Sequence, residues 1–341
     1  MRSCGPSCRL TSPAVFRVSL RRAGSAARLG HDGRVRKAAA VPLSLLGAGL
    51  AGLAYASVIE RNAFRLRRFD VPVLEPGQRP VRILHLSDLH LTPGRRLLIE
   101  WVRSLGDLRP DLVVNTGDSI AHPEAVPALL HALEPLLERP GLFVYGSNDL
   151  YSPRPKNPAR YLWRTSKGDN SRNTPDLPWE ELGAGMAAEG WLDVNNTTAR
   201  IKVADLDVAV GGIHDSHIDY DRYDRIAGPA PADADLRLGV MHSPEPRNMT
   251  RFAADGYQLL LAGHTHGGQL CIPFYGALVT NCGIDRARVK GLSRHDSAYL
   301  HVSAGLGTSP YSPVRFACFP EASLLTLVPR RRSGTSIHEV R

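Results

Sequence analysis

Cysteine and lysine are both scarce in this chain. Its five cysteines (Cys4, Cys8, Cys271, Cys282 and Cys318) are odd in number and show no CxxC spacing. That excludes a zinc finger or a disulfide-dense scaffold and leaves buried free thiols as the reading, with a single Cys271 to Cys282 bridge as its alternative. Only five of the 42 basic residues are lysine. Aromatic residues make up 6% and no low-complexity tract or internal repeat is present, so prion-like and repeat architectures are excluded. The body also lacks excess positive charge. Residues 1–70 carry 13 Lys and Arg against 3 Asp and Glu, whereas residues 71–329 carry 25 against 29, so the formal charge of +9 belongs to the N-terminus. A body of net negative charge is a poor footprint for nucleic acid, and a nuclease starts at a disadvantage. What remains is 341 residues at 43% hydrophobic and 22% charged, an ordinary globular composition for one large domain or two small ones.

Long charge-free runs are absent as well, with one exception. Ala38 to Ile59 holds 22 consecutive uncharged positions, enough at helical rise to cross a hydrocarbon core of about 30 Å. Cations are denser before the run than after it, which by the positive-inside rule sets the N-terminus in the cytoplasm and the body outside. The expectation is a single-pass cell-membrane protein with an extracytoplasmic body. A cleaved export signal is the competing reading, because Ala54-Tyr55-Ala56 has the small-x-small form of a cleavage site and Arg21-Arg22 is a twin-arginine pair. The organisation expected is a basic leader (1–37), a span (38–59), a Pro-punctuated linker (60–80), a body (81–329) and a basic tail (330–341).

Within the body, apolar runs alternate with helical patterns. Strands are expected over 81–87, 111–116, 141–145, 207–212, 236–241, 258–262, 298–303 and 323–328, and helices over 96–108 and 124–137. The β-α-β-α-β order argues for parallel strands, whose ligands bind beyond their carboxyl ends. Residues 151–178, rich in Pro, Asn, Ser and Arg and without periodicity, read as a lid. Its Tyr151, Arg154, Arg160 and Tyr161 are candidates to grip a substrate.

Five polar clusters follow apolar strands: Asp88-Leu89-His90, Gly117-Asp118, Asn148-Asp149, His242 and His264-Thr265-His266. Successive spacings of 30, 30, 94 and 22 residues separate Asp88, Asp118, Asn148, His242 and His264. Oxygen and imidazole donors brought to one sheet edge suit a pair of borderline divalent ions such as Mn, Fe or Zn; an all-oxygen set would suit Mg or Ca. His85 and His301 fall inside strands and read as core or supporting residues, and His122, His131 and His217 as surface or loop residues.

The order D-x-H, G-D, an Asn-containing turn, H, then G-H-x-H, with GHTHGGQ the most distinctive piece, resembles the calcineurin-like metallophosphoesterases over roughly residues 80 to 328. The charge-free N-terminal run, GHTHGGQ and the endings GLGTSP and PE resemble its membrane-associated bacterial branch. The resemblance implies a four-layer α/β/β/α sandwich of two mixed sheets. It also implies a two-metal hydrolase of phosphoric esters or anhydrides. One ion would be held by Asp88, His90, Asp118 and His266 and the other by Asp118, Asn148, His242 and His264, and a bridging hydroxide would be the nucleophile. The substrate expected is a phosphorylated small molecule or an envelope or lipid-linked phosphate. The alternatives are a cytosol-facing nucleotide phosphodiesterase and a catalytically impaired metal-binding protein. The sequence departs from the family where Asp149 stands at the usual His of the Gly-Asn-His turn, so Asp149 and His214 are the candidates for leaving-group acid. Gly267 and Gly268 read as turn glycines that let backbone approach a bound phosphate.

Overall fold

The computed structural model describes residues 46–155 and 174–330. The leader, the first part of the expected span, positions 156–173 of the expected lid, with Arg160 and Tyr161, and the tail from 331 lie outside the described residues. The chain divides into two units, 1–50 and 51–341. The described part of the first, 46–50, is helical.

The second unit is built on two mixed six-stranded sheets. The first has the order β1 (Arg65–Leu74), β14 (Glu321–Pro329), β2 (Val81–Leu86), β3 (Leu112–Asn115), β4 (Gly141–Phe143) and β5 (Leu192–Asp193). Only the β14–β2 pair in it is antiparallel. The second runs β12 (Gly291–His295), β13 (Ala298–Val302), β9 (Leu259–Ala262), β8 (Leu236–Val240), β7 (Leu206–Gly212) and β6 (Thr197–Val203), antiparallel at its two outer pairs and parallel between. A small hairpin, β10 (Cys271–Ile272) and β11 (Gly276–Ala277), stands apart.

Period-2 alternation explains why the central strands are apolar at most positions. In β2, Ile83 enters a core shared by both sheets while Leu84 and Leu86 face the helices Arg96–Ser104 and Val126–Leu137. In β9, Leu259 and Leu261 join the inter-sheet core, and Leu260 and Ala262 pack with Met249 and Phe252 of the helix Pro246–Ala254. Strands covered on both faces are mostly apolar on either side, and a polar residue there, such as His85 of β2, meets a buried partner. Residues 65–74 of the stretch read as a linker form β1, an edge strand hydrogen-bonded along β14.

The single-pass anchor is corrected here. Among the described residues no helix is long and apolar enough to cross a membrane. The final part of the expected span is instead tied to the body: Tyr55–Ile59 form a π turn, Ala56 is buried and its carbonyl accepts from the Arg315 N–H at 3.0 Å. In the turn that follows, Glu60 is buried and its Oε1 accepts from the Cys318 N–H at 2.6 Å. The expected membrane partner and extracytoplasmic placement, which both rested on that span, are withdrawn with it.

Candidate metal centre

The carboxyl ends of β2, β3, β8 and β9 release short loops that carry Asp88, Asp118, His242 and His264, and β4 leads into the short helix Ser147–Leu150 that carries Asn148. Two buried groups of convergent donor atoms result: Asp88 with His90 and His266, and Asp88 with Asp118 and His242. Asp118 Oδ2 lies 3.5 Å from His90 Nε2 and 3.5 Å from His242 Nε2. His90 and His266 stack with their Nε2 atoms 3.1 Å apart, and His266 Nε2 is 3.6 Å from Asp88 Oδ1. Asn148 donates from its backbone to Asp118 Oδ1 and from its amide to Asp118 Oδ2, both at 2.7 Å.

The backbone at this edge is strained in a patterned way. Asp88, His90, Asp118, His264 and His266 have φ of 50, 41, 53, 69 and 50°, a left-handed conformation that non-glycine residues occupy at a cost of about 1–3 kcal/mol each. Hydrogen bonds hold them there. Asp88 N–H donates to Gly117 O and His90 N–H to Asp118 O, both at 2.9 Å, so the loops after β2 and β3 run side by side.

Asp149 supplies the other restraint. It is fully buried; Oδ2 accepts from the N–H groups of Asp118 (2.8 Å) and Gly146 (2.9 Å), and Oδ1 from those of Ser119 (2.6 Å) and Ile120 (3.3 Å). Burial, helped by the Asp118 charge, pushes this carboxyl up to about 7, against the N–H donors that favour the carboxylate. Both oxygens are thus spent on backbone, and Asp149 anchors the Asp118 loop where the sequence reading offered a proton donor. Asp149→Asn is expected to lower stability by about 2–3 kcal/mol, since an amide NH₂ must then face backbone N–H. Chemical unfolding checks this, and unchanged stability with a shifted limb in the pH–rate profile would restore the acid role.

His214 also sits apart from the donor groups. Its Nδ1 accepts from the Asp215 N–H at 2.6 Å, its ring lies against Tyr145 and Tyr220, and burial lowers it to about 4. His217, read as a surface or loop residue, brings its ring within 4.5 Å of His264. Gly267 and Gly268 have φ of 61 and 87°, but a Cβ would meet Cys318 and Ala304 at the first and Ala277 at the second, so protein packing sets these glycines where a bound phosphate was expected to. Of the lid candidates that are described, Tyr151 meets the Tyr220 hydroxyl at 2.6 Å and Arg154 is exposed.

Arg315 was missed by the sequence reading. Fully buried, it donates from one guanidinium nitrogen to the carbonyls of Ala304, Gly305 and Gly307 at 2.8 to 3.0 Å and approaches His266 Nδ1 at 3.4 Å. A lone arginine between Val314 and Phe316 carries no motif that would have flagged it. Cys271, Cys282 and Cys318 are free and buried, as expected.

Two histidines test whether the donors fit a cation. His242 Nδ1 is 2.7 Å from Thr116 O, and His264 Nε2 is 3.3 Å from Asn281 O. A carbonyl can only accept, so each ring carries its proton on that nitrogen, and both present a bare nitrogen to one spot, His242 Nε2 to His264 Nδ1 at 3.2 Å. Two lone pairs facing each other beside the Asp118 carboxylate call for a positive charge between them. Without a metal, a proton serves: burial opposes charge on His242, but Asp118 and Asp215 outweigh it and hold its pKa well above the usual histidine range. Asp118 answers in kind, pushed up by burial and held well below the carboxylate range by His242. Imidazole and carboxylate donors in this arrangement fit a borderline divalent cation.

Residues 81–268 match the family model described as calcineurin-like phosphoesterase. The chain is 25% identical over 287 residues to YkuE of Bacillus subtilis, named an uncharacterized metallophosphoesterase, covering 81% of this chain and 90% of that one. It is 26% identical over 283 residues to the phosphodiesterase YaeI of Escherichia coli, covering 81% and 93%. With YpbG of Bacillus subtilis it shares 25% over 293 residues, covering 84% and 95%.

Proposed function

Because the chain belongs to the calcineurin-like phosphoesterase family and is a hydrolase of phosphoric ester bonds, we propose that its site works with two divalent cations on phosphoric diesters or anhydrides. One cation would be held by Asp88, His90, Asp118 and His266 and the other by Asp118, Asn148, His242 and His264. The observation that carries this reading is the convergence of two imidazole nitrogens, His242 Nε2 and His264 Nδ1, at 3.2 Å beside a carboxylate, a spot that takes a cation, whether proton or metal. The sharing of Asp118 is supported by its Oδ2, equidistant at 3.5 Å from an imidazole of each set. When bound, the cations supply Lewis acidity toward the phosphoryl oxygens and lower the pKa of the attacking water.

The chain itself positions these donors and offers little acid. With Asp149 committed to backbone and His214 held neutral by burial, neither candidate is poised to protonate a departing alkoxide. Substrates with good leaving groups therefore suit the site.

An apolar moiety on the substrate is the second element of the reading. The segment 270–279 contains no charged residue, and its hairpin keeps only Cys271 and Ala277 inside. Leu270, Ile272, Tyr275 and Leu278 are 41 to 58% exposed and Phe274 wholly so. Outward faces of hairpins are normally polar, and an apolar patch of this kind marks a contact surface. Its two roots adjoin candidate ligands, His266 before it and Asn281, bonded to His264, after it.

The test uses protein stripped with a chelator and reloaded with Mn. Elemental analysis is expected to return about two metals per chain, and hydrolysis of bis(p-nitrophenyl) phosphate to return with them. Alkyl p-nitrophenyl phosphodiesters should gain about twofold to fourfold in kcat/KM per methylene in mid-series, from apolar transfer of up to about 0.8 kcal/mol per group. Ile272→Ser with Phe274→Ser should flatten that slope and spare the unalkylated substrate. One metal at full activity would overturn the two-cation reading, and a flat series in the native chain would overturn the apolar moiety.

A further inference from the structure

A polar thread crosses the otherwise apolar space between the two sheets. His85 on β2 and His301 on β13 meet with their Nδ1 atoms 2.9 Å apart, and His85 Nε2 lies 2.9 Å from Thr116 Oγ1. The Thr116 hydroxyl donates to Ser87 Oγ at 2.7 Å, and the Ser87 hydroxyl donates to Asp88 Oδ2 at 2.5 Å. All five residues are fully buried.

The end of the thread sets the direction of every link. A carboxylate accepts, so Ser87 must donate to Asp88, and its oxygen is then free to accept from Thr116. The Thr116 hydroxyl, having given its proton to Ser87, accepts from His85, which therefore carries its proton on Nε2. The bare Nδ1 of His85 accepts in turn from His301, which carries its proton on Nδ1. The thread ends at His301 Nε2, a buried nitrogen with no hydrogen-bond partner among the described residues, as a bare acceptor at the tail of a one-way chain should be. Burial keeps both rings neutral, His85 well below the usual histidine range and His301 down to about 3.

We infer that His301, His85, Thr116 and Ser87 are positioning residues for Asp88, a one-way hydrogen-bond chain that occupies Oδ2 and turns Oδ1 toward the donor cluster. Oδ1 is the atom 3.6 Å from His266 Nε2, while the His264 N–H is shared between the two oxygens, at 3.0 Å to Oδ2 and 3.2 Å to Oδ1. Gly263 is required beside the chain, because a Cβ there would overlap Ser87 Oγ. The chain matters to function only if Asp88 is a metal ligand, so this inference rests on the proposed function.

Its first test does not need a metal. Long-range ¹⁵N–¹H correlation spectra of the histidine-labelled, metal-free chain should show His85 as the Nε2–H tautomer and His301 as the Nδ1–H tautomer; matching tautomers, or a charged ring at neutral pH, overturn the chain. The second test compares Thr116→Val, which keeps shape and removes the hydroxyl, with Thr116→Ser, which keeps the hydroxyl. Titration calorimetry with Mn should show affinity falling about 10- to 100-fold in the valine variant and restored in the serine variant. Equal affinities in the two variants would overturn the positioning role. Should Asp88→Ala also bind Mn normally, the metal reading itself fails, an outcome distinct from the first.

Discussion

Asp118→Asn is expected to cut metal-dependent hydrolysis by about 10³-fold or more, the kinetic equivalent of losing several kcal/mol of Lewis-acid stabilisation at phosphorus. Asp118 Oδ2 reaches an imidazole of each proposed set, 3.5 Å from His90 and 3.5 Å from His242. The amide carries no charge, and an NH₂ in either position would face the Asn148 donors that now point at Asp118. Metal content should therefore fall from the two per chain proposed above to one or fewer. A second consequence concerns protons. In the metal-free native chain Asp118 and Asp215 hold a proton on His242 that a metal must displace, so Mn uptake should release a proton and strengthen as pH rises. The variant should show a shallower pH dependence. Elemental analysis beside p-nitrophenol release decides the matter: two metals and undiminished turnover would leave Asp118 without the shared role.

The parts of this molecule that were legible in sequence are those where one physical demand acts on neighbouring letters. Strands β2, β3 and β9 read as apolar runs because both of their faces are covered, and the polar residues that follow them are the ones the parallel topology delivers to a common edge. Edge strands escape that logic. β1 carries exposed Arg65, Arg67 and Arg68 distributed over both of its faces and becomes buried only from Val71, so it passes for a linker. The function of Asp149 was illegible for a different reason: its letter is the same whether its oxygens face a cavity or four backbone N–H groups. His85 and His301 lie 216 positions apart, and only the stacking of the sheets makes them partners. The 38–59 run misled because hydropathy counts what a lipid tolerates and is blind to Ala56 and Glu60 meeting Arg315 and Cys318.

Gly146→Ala should disable the site with a single methyl group. Gly146 has φ −101° and ψ 174°, an extended conformation open to alanine, so backbone strain plays no part. Space does: a Cβ built there would overlap Asp118 Oδ1 and come within 2.8 Å of Asp118 Cγ and 2.7 Å of His242 Cε1. The carboxylate must rotate or retreat, and moving it carries Oδ2 away from both imidazoles. A misplacement of about 1 Å among reacting groups costs roughly 10²-fold, so hydrolysis should fall by that factor or more while the overpacked site loses about 1–3 kcal/mol of stability and still folds. Gly190→Ala is the matched control, with φ of 88° and nothing within 4 Å of the added methyl. It tests left-handed strain without crowding and should leave turnover intact. Measured kcat, Mn affinity and unfolding midpoints of the two variants separate the effects. If Gly146→Ala hydrolyses substrate within a few-fold of the native chain, the placement of Asp118 is not what the reaction requires.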